Sequence, residues 1–591
     1  MAPADQYSTR LTARDALVRR IKVLQQRTGS LRLLLAAAAL ATAWESFHAH
    51  RISPFWLIAP LAAFAGAVLY HATLRRRRSA AERATEFYRR GLARIEDRWA
   101  GGGLAGERFA DAHHVYAADL DLFGKGGLFE LLCSARTRMG EEALADWLLN
   151  PAPLAEIKER QACLADLRNR LDLREELAAL GEHSGIGVQP QHLLRWAESP
   201  NVLERRWMVL AAIGLPALCL ASIIVWTVTG IVVPFVLIIL IELVVLQRLG
   251  GKLAEVLHAT ESAFEDLNMF SALLTRIERE PFEAPALAAL IAALSSHGQA
   301  AARCVARLGT IAEWCGSRDN LIVKSLSIPL LYSLQVALAA ERWRRAHGKV
   351  VRAWVEATGR FEALSSLAQY SFEHPADPFP VLGEGVPGFR AVGLAHPLIA
   401  SGQCVRNDVE ICGRVRVLIV SGSNMSGKST LLRSVGVNAV LAMAGAPVRA
   451  RSLEMTPHRV GASIRINDSL PEGSSRFYAE ITRLRQLYEL ASEQSLLFLL
   501  DELLQGTNSK DRRIGAEAVL RAFLERHAIG LVSTHDLALT EIGGLEEGAL
   551  RNVHFQDEIE DGRIRFDFKL REGVVTKSNG LELMRSIGLK V

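Results

Sequence analysis

The 591-residue sequence has seven cysteines and no CxxC pair. Scattered at 133, 163, 219, 304, 315, 404 and 412, they argue against a disulfide framework or a metal site. They fit reduced core thiols in a protein facing the cytosol. A strong charge imbalance is also missing. The net charge of +5, from 69 Lys and Arg against 64 Asp and Glu, neither demands nor excludes a nucleic-acid partner. No internal repeat and no long low-complexity segment is present, so the chain reads as several domains, each long enough to bury a core. The polar, Arg-dotted start lacks a small-residue cleavage site, and no cleaved signal peptide is expected.

Two stretches lack charge almost entirely. Pro54–Leu74 has no Asp, Glu, Lys or Arg, and Trp207–Gln247 has only Glu242. A bilayer core needs about 20 apolar residues as a helix, which the first stretch supplies. The second reads as two spans joined by a tight turn at Thr227–Gly230. Leu33–Ala49 is apolar but carries Glu45, making it a weaker fourth span. Arg10, Arg14, Arg19, Arg20, Lys22, Arg27 and Arg32 precede these segments, while the loop at 44–53 holds only Arg51. Arg75–Arg78 follow, Arg205 and Arg206 precede the second pair, and Arg248 and Lys252 come after it. The positive-inside bias then predicts two hairpins with both bases in the cytoplasm, in an inner (cytoplasmic), multi-pass membrane protein contacting lipid. Buried core helices are the alternative. Glu242 reads either as part of an ion path or as a helix–helix contact.

The intervening lobes, 79–200 and 251–380, show helical spacing of apolar residues. "GEEALADWLLNPAP" predicts an amphipathic helix stopped by Pro151 and Pro153, and "EIKERQACLADLRNRLDLREELAAL" a charged-face helix that continues through it. "HPADPFPVLGEGVPG" at 374–388 reads as a linker.

The chemistry lies in the C-terminal third. Val415–Val420 is a buried-strand pattern, and Thr430 onward reads as helix. Between them "GSNMSGKST" places Gly422, Gly427, Lys428 and Ser429 in the G-x-x-x-x-G-K-[ST] pattern, in the strand–loop–helix context that it requires. The glycines let backbone N–H groups wrap phosphates at a helix N-terminus. Lys428 is expected to reach the β- and γ-phosphates of ATP and Ser429 to ligate Mg²⁺. Downstream, "LLFLLDELLQGTNSKD" gives a second buried strand ending in Asp501 and Glu502. An acid there can hold the metal's water shell, and its neighbour can polarise the attacking water. "GLVSTHDLALTEI" gives a third strand tipped by His535, as a γ-phosphate sensor or as a structural histidine.

"GSNMSGKST", "DELLQGTNSKD" (501–511) and "STHD" (533–536) together resemble the MutS group of ATPases, relatives of the ABC ATPases. Ser423, Asn424, Met425, Ser426 and Thr430 then join the nucleotide-binding loop. "AHPLI" with "VRNDVEI" resembles the entry to the family's ATPase domain, and "NDSLPEGSSRFYAEI" (467–481) its signature loop, with Ser475 facing the nucleotide of the partner subunit. Residues 131–167 are similar to its helical lever, and 552–589 to its closing strands and helix. Cys404 stands near where the resemblance implies an adenine-stacking aromatic. Mismatch-recognition and connector domains are not read before the lever, nor is a Phe-x-Glu wedge; Phe523–Glu525 falls in an expected ATPase helix. The second hairpin stands about where DNA-clamp helices are expected.

The expected architecture is therefore an α/β P-loop ATPase domain behind an all-α lever, with four transmembrane helices in two hairpins. Its segments are a basic cytosolic tail (1–30), hairpin 1 (31–78), a helical lobe (79–200), hairpin 2 (201–250), a second helical lobe (251–380) and the ATPase domain (381–591). The resemblance implies a homodimer with composite ATP sites and implies DNA binding in mismatch repair. The alternatives are an ABC-like ATPase energising transport, which lacks an LSGGQ signature here, and an ATP-switched membrane scaffold.

Overall fold

The computed structural model of the protein describes residues 2–180, 190–203, 205–262, 267–296, 298–465, 476–493, 495–505, 507–541, 548–560 and 563–575. The basic N-terminal segment is not a free tail. It is the start of one 45-residue helix, α1 (Pro3–Phe47), which opens on a proline whose fixed φ suits a first turn. After a turn through Pro54–Leu57, α2 (Ile58–Ile95) runs back along α1. Arg78 donates to Gln25 at 3.3 Å and Arg89 pairs with Asp15 at 3.1 Å, which fixes the antiparallel register.

In the first helical lobe, α3 (Arg138–Leu149) is capped by Thr137, whose hydroxyl accepts from the Gly140 N–H, and it ends before Pro151 as expected. The charged-face segment that follows is two helices, not one: α4 (Leu154–Leu167) and α5 (Leu171–Ala179). The break has a local cause. The buried Arg174 guanidinium donates to the carbonyls of Leu167 and Arg168 at 2.7 and 2.8 Å, closing α4 with a cation at its negative end.

The second apolar stretch forms α6 (Arg206–Thr229) and α7 (Val233–Ser262), joined at Gly230 with φ 75°. Three segments, Pro54–Ile95, Arg206–Thr229 and Val233–His258, are long and apolar enough to cross a membrane. Leu33–Ala49, expected as a fourth, is not among them, because Arg32 and Glu45 dilute the end of α1.

The second lobe is built on α8 (Tyr332–Glu373), 42 residues and so about 63 Å long. Its C-terminal end meets the base of the first hairpin. Tyr7, Tyr88, Leu171 and Phe372 form a small core there. Beside it Arg94 makes a two-pronged ion pair with the buried Glu373 at 2.6 and 2.7 Å. The Pro/Gly-rich linker beyond α8 is packed. Asp377 is buried against Arg449 at 3.1 Å, and β1 (Val381–Leu382) joins a sheet.

Two sheets follow. β1 pairs in a four-stranded sheet with β2 (Phe389–Leu394), β3 (Asn407–Ile411) and, after β4 (Val417–Ser421), β5 (Ser452–Met455), in the order β1-β5-β2-β3. The larger sheet holds β4, β6 (Arg459–Ser463), β7 (Leu496–Asp501), β8 (Ile529–Thr534), β9 (Leu550–Glu560) and β10 (Arg563–Glu572). Its order is β10-β9-β4-β8-β7-β6, all neighbours parallel except the antiparallel edge strand β10. β4 is a continuous apolar run because both of its faces are covered. Leu418 and Val420 join a core shared with the lever and with helix α9 (Lys428–Ala444). Val417 and Ile419 face α10 (Arg476–Glu493) and α11 (Ser509–Glu525), where Phe523 packs on Phe498 at 5.0 Å. Ser421 lies level with Thr534, and Asp501 with Ser533, so these strands end together, at the place where open α/β sheets bind ligands.

Candidate nucleotide site

The loop from β4 to α9 owes its path to positive φ. Gly422 sits at 152° and Gly427 at 105°. A Cβ on Gly422 would lie 2.9 Å from Ser426 Oγ, and one on Gly427 would lie 3.1 Å from the Phe568 ring. Met425 is also left-handed, at 69°, with its side chain 85% exposed. Asn424 and Thr430 are exposed as well. The Lys428 ammonium is buried and donates to the carbonyls of Gly422 and Ser423 at 2.9 and 2.8 Å. Burial holds it below its ordinary pKa, against the pull of Glu502, Asp501 and Asp557.

Polyphosphate fits this loop. The Ser423 and Ser426 hydroxyls are buried without a hydrogen-bond partner, and no side chain caps the start of α9. Unspent donors at a helix N-terminus beside a cation suit an anion. Mg²⁺ fits as well. Ser429 Oγ donates to Asp501 Oδ2 at 2.5 Å, bringing two hard oxygen ligands together across the sheet. Mg²⁺ takes one or two protein oxygens and completes its shell with phosphate and water.

Asp501 and Glu502 are held by β8. Ser533 Oγ donates to Asp501 Oδ1, and it accepts from the Glu502 N–H at 3.1 Å. Glu502 itself is left-handed, at φ 53°. That conformation is costly for a non-glycine residue, and such costs collect at functional sites. It turns the carboxylate toward His535, whose Nδ1 lies 3.3 Å from Glu502 Oε1, while Gln505 donates to Oε2. Behind them Arg512 donates to the carbonyls of Leu504 and Gln505, and Asn508 caps α11 by accepting from the Asp511 N–H.

Lys428, Ser429, Asp501, Glu502 and His535, singled out from sequence, thus lie at the shared end of β4, β7 and β8. Ser475, expected to act across a dimer, lies outside the described residues, as do Gly506 and the expected closing helix beyond 575. Sequence reasoning missed Ser533 and Gln505, which stood inside quoted motifs without a role. It also missed Phe568. This aromatic, left-handed at φ 53° and 41% exposed, lies against Gly427. Its carbonyl accepts from Asn407 at 3.0 Å, which ties "VRNDVEI" to the site. Cys404 instead accepts from the His396 N–H and belongs to the "AHPLI" turn.

The MutS domain V family matches residues 418–590. The endonuclease MutS2 of Thermus thermophilus is 35% identical over 211 residues, 36% of this chain and 27% of that protein. The DNA mismatch repair protein MutS 2 of Halobacterium salinarum is 34% identical over 261 residues, 43% of this chain and 28% of its own. The DNA mismatch repair protein MSH6 of Arabidopsis thaliana is 31% identical over 268 residues, 42% of this chain and 20% of its own. The chain therefore spans less than a third of the length of these relatives, and the likeness lies in the ATPase region. With a P-loop α/β sheet carrying this constellation at its strand ends, residues 418–590 match the MutS domain V family, and the C-terminal part of the chain is similar to the ATPase region of MutS-family proteins.

Proposed function

We propose that the protein is a membrane-anchored MutS-type ATPase that works as a homodimer, with its ATPase domain on the cytoplasmic side of the inner membrane. Gly422–Thr430 bind the phosphates of ATP, with Lys428 moving from its loop carbonyls onto the β- and γ-oxygens. Ser429 and Asp501 hold Mg²⁺, which would offset the charge on the phosphate oxygens. Glu502 polarises the attacking water, His535 stands beside it as sensor, and Ser475 of the partner subunit completes the site. The observation that carries this reading is the meeting of the Ser429–Asp501 and Glu502–His535 pairs at the mouth of one phosphate loop.

For the anchor, the structure supports an even number of crossings in the first hairpin. Tyr7 near its start and Arg94 near its end both bond the same carboxylate, Glu373. A chain that crosses through Pro54–Leu74 and returns to Glu373 must also cross through the end of α1. Leu33–Ala49 therefore spans alongside it, with Arg32, whose guanidinium lies 6.0 Å from the Phe64 ring, reaching toward the interface.

The test is detergent purification of the full chain followed by ATPase assays with and without DNA, comparing wild type with Lys428→Ala. Turnover that Lys428→Ala abolishes supports the engine. Stimulation by DNA moves the protein toward the genome maintenance that its relatives are named for, and DNA-independent turnover toward work on the membrane. A native protein found fully soluble on fractionation would sink the anchor.

A further inference from the structure

The second hairpin contains one charged side chain between Trp207 and Gln247, and it is turned inward. Glu242 is 0% exposed, and both of its carboxylate oxygens lack a hydrogen-bond partner. It is the one fully buried residue of α7 between Val233 and Gln247. The register places what it faces. Trp226 of α6 stacks on Phe235 of α7 at 5.7 Å. Seven residues back along α6 and seven forward along α7, about two turns on each, bring Cys219 opposite Glu242. Cys219 and Ser222 are the buried residues of α6 at this level, and both are small enough to leave the carboxyl room. Ser222 Oγ spends its proton on the Cys219 carbonyl at 2.6 Å, so it offers Glu242 only lone pairs.

Among the described residues no cation pairs with the carboxyl. Cys219 is the titratable group of α6 beside it. No charged group of α8, of Ala301–Gly316 or of Pro190–Glu198, the other helices packed on α7, acts on it. The basic residues of α7 itself, Arg248 and Lys252, come six and ten positions later and are exposed. An unpaired carboxylate in a hydrocarbon layer is strongly disfavoured. Without a cation, a proton is what neutralises it.

We propose that Glu242 is a proton-binding site inside the second hairpin, carried as the neutral acid with its O–H lodged against the Cys219–Ser222 seam. This rests on the membrane-spanning reading above. Ionisation sends the proton to water that enters when α6 and α7 part, so separating the helices and releasing the proton become one event. The lever reaches the same seam. Pro216 has no N–H to give the Ala212 carbonyl, and Gln335, in the first turn of α8, donates to that oxygen at 3.3 Å, two turns from Cys219.

Carbodiimide labelling of the full chain in its own membranes tests this, with mass spectrometry to locate the adduct. Dicyclohexylcarbodiimide, which is apolar, should modify Glu242, and labelling should fall about tenfold per pH unit once the carboxyl ionises. Glu242→Gln should remove the adduct and Glu242→Asp should retain it. Carbonate extraction, run in parallel, separates the two ideas. Protein that stays in the membrane but gives no Glu242 adduct, while other carboxyls in the sample are modified, overturns the proton site alone. Protein that washes off, or is labelled equally by a water-soluble carbodiimide, overturns the membrane reading with it.

Discussion

Replacing Arg94 by Met should loosen the joint between the first hairpin and the lever far more than its nearly neutral volume change suggests. The Glu373 carboxylate is wholly inaccessible and receives four donors. Two come from Arg94 at 2.6 and 2.7 Å, one from Tyr7 at 3.1 Å and one from Gln369 at 2.9 Å. Burial works against the Arg94 charge, yet Glu373 outweighs it and holds the guanidinium above its ordinary pKa. Burial and the same carboxylate push the Tyr7 phenol well up. Arg94→Met leaves a buried carboxylate whose only remaining donors are neutral, a loss of about 3–5 kcal/mol. Arg94→Met with Glu373→Met removes both charges and should cost about 1 kcal/mol or less, because an apolar pair of similar volume often replaces a buried ion pair without loss. Native-state proteolysis in the loop at 98–103 reads the difference. The single variant should be cut on the order of 100- to 1,000-fold faster than wild type, and the double variant within about tenfold of it. If the double variant is cut as fast as the single, Glu373 is not the buried charge that this joint depends on, and the reasoning fails.

Four further outcomes follow from the same structure. ATP at a hundred times its Kd should stabilise the wild-type ATPase domain by about 2.7 kcal/mol and leave Lys428→Ala unmoved in a thermal shift assay. Glu502→Gln should retain bound ATP and accumulate as dimers on a sizing column, whereas a protein that only switches on binding would keep normal function. Phe568→Ala should weaken ATP binding by up to about tenfold through the lost aromatic face, measured by calorimetry with Mg²⁺ present; an unchanged Kd would remove Phe568 from the site. His396 and His458 are buried and held at about 4. The unfolded chain therefore binds more protons between pH 6.5 and 4, and stability should fall through that window by up to about 3 kcal/mol for each histidine. His458→Asn, placed between Thr456 and Ser495, should flatten its share of that slope.

The ATPase sheet was legible because its signals are local. Strands buried on both faces are unbroken apolar runs, and the loops after them carry residue types that chemistry restricts. The larger misses come from contacts far apart in sequence. Nothing in "QQRTGSLRLLLAAAALATAWESF" distinguishes a basic tail beside a weak span from one long helix, since the buried anchor of that helix is Tyr7, packed against residues 88 and 372. The break between α4 and α5 depends on an arginine folding back onto carbonyls six and seven residues earlier. Phe568 reads as one aromatic in an alternating edge strand. Its place at the phosphate loop is fixed by Asn407, 161 residues away.

How the proposed engine meets its load can be followed bond by bond. Asn438, at the middle of α9, accepts from the Arg449 N–H at 2.7 Å and donates to the Ala395 carbonyl at 2.9 Å. The Arg449 side chain grips Asp377, which also accepts from Tyr370 near the end of α8. Three residues on is Glu373, which holds both ends of the first hairpin, and Asp97 at that hairpin's base accepts from the Ser401 N–H of the ATPase domain at 2.9 Å. At the far end of α8, Gln335 is bonded to the second hairpin. Apart from the exposed Ser401–Asp97 contact, these joints are hydrogen bonds to buried or part-buried groups, several of them charge-assisted, and none of the residues making them is a glycine. A shift of α9 as its first turn takes up phosphate is therefore poorly absorbed locally and is passed to α8 as a rigid body. Both predicted membrane anchors sit on that one helix. On the proposed function, a switch in the ATPase domain would have a load to move even without DNA, and cutting the Arg94–Glu373 joint should spare ATP turnover while releasing the first hairpin from nucleotide state.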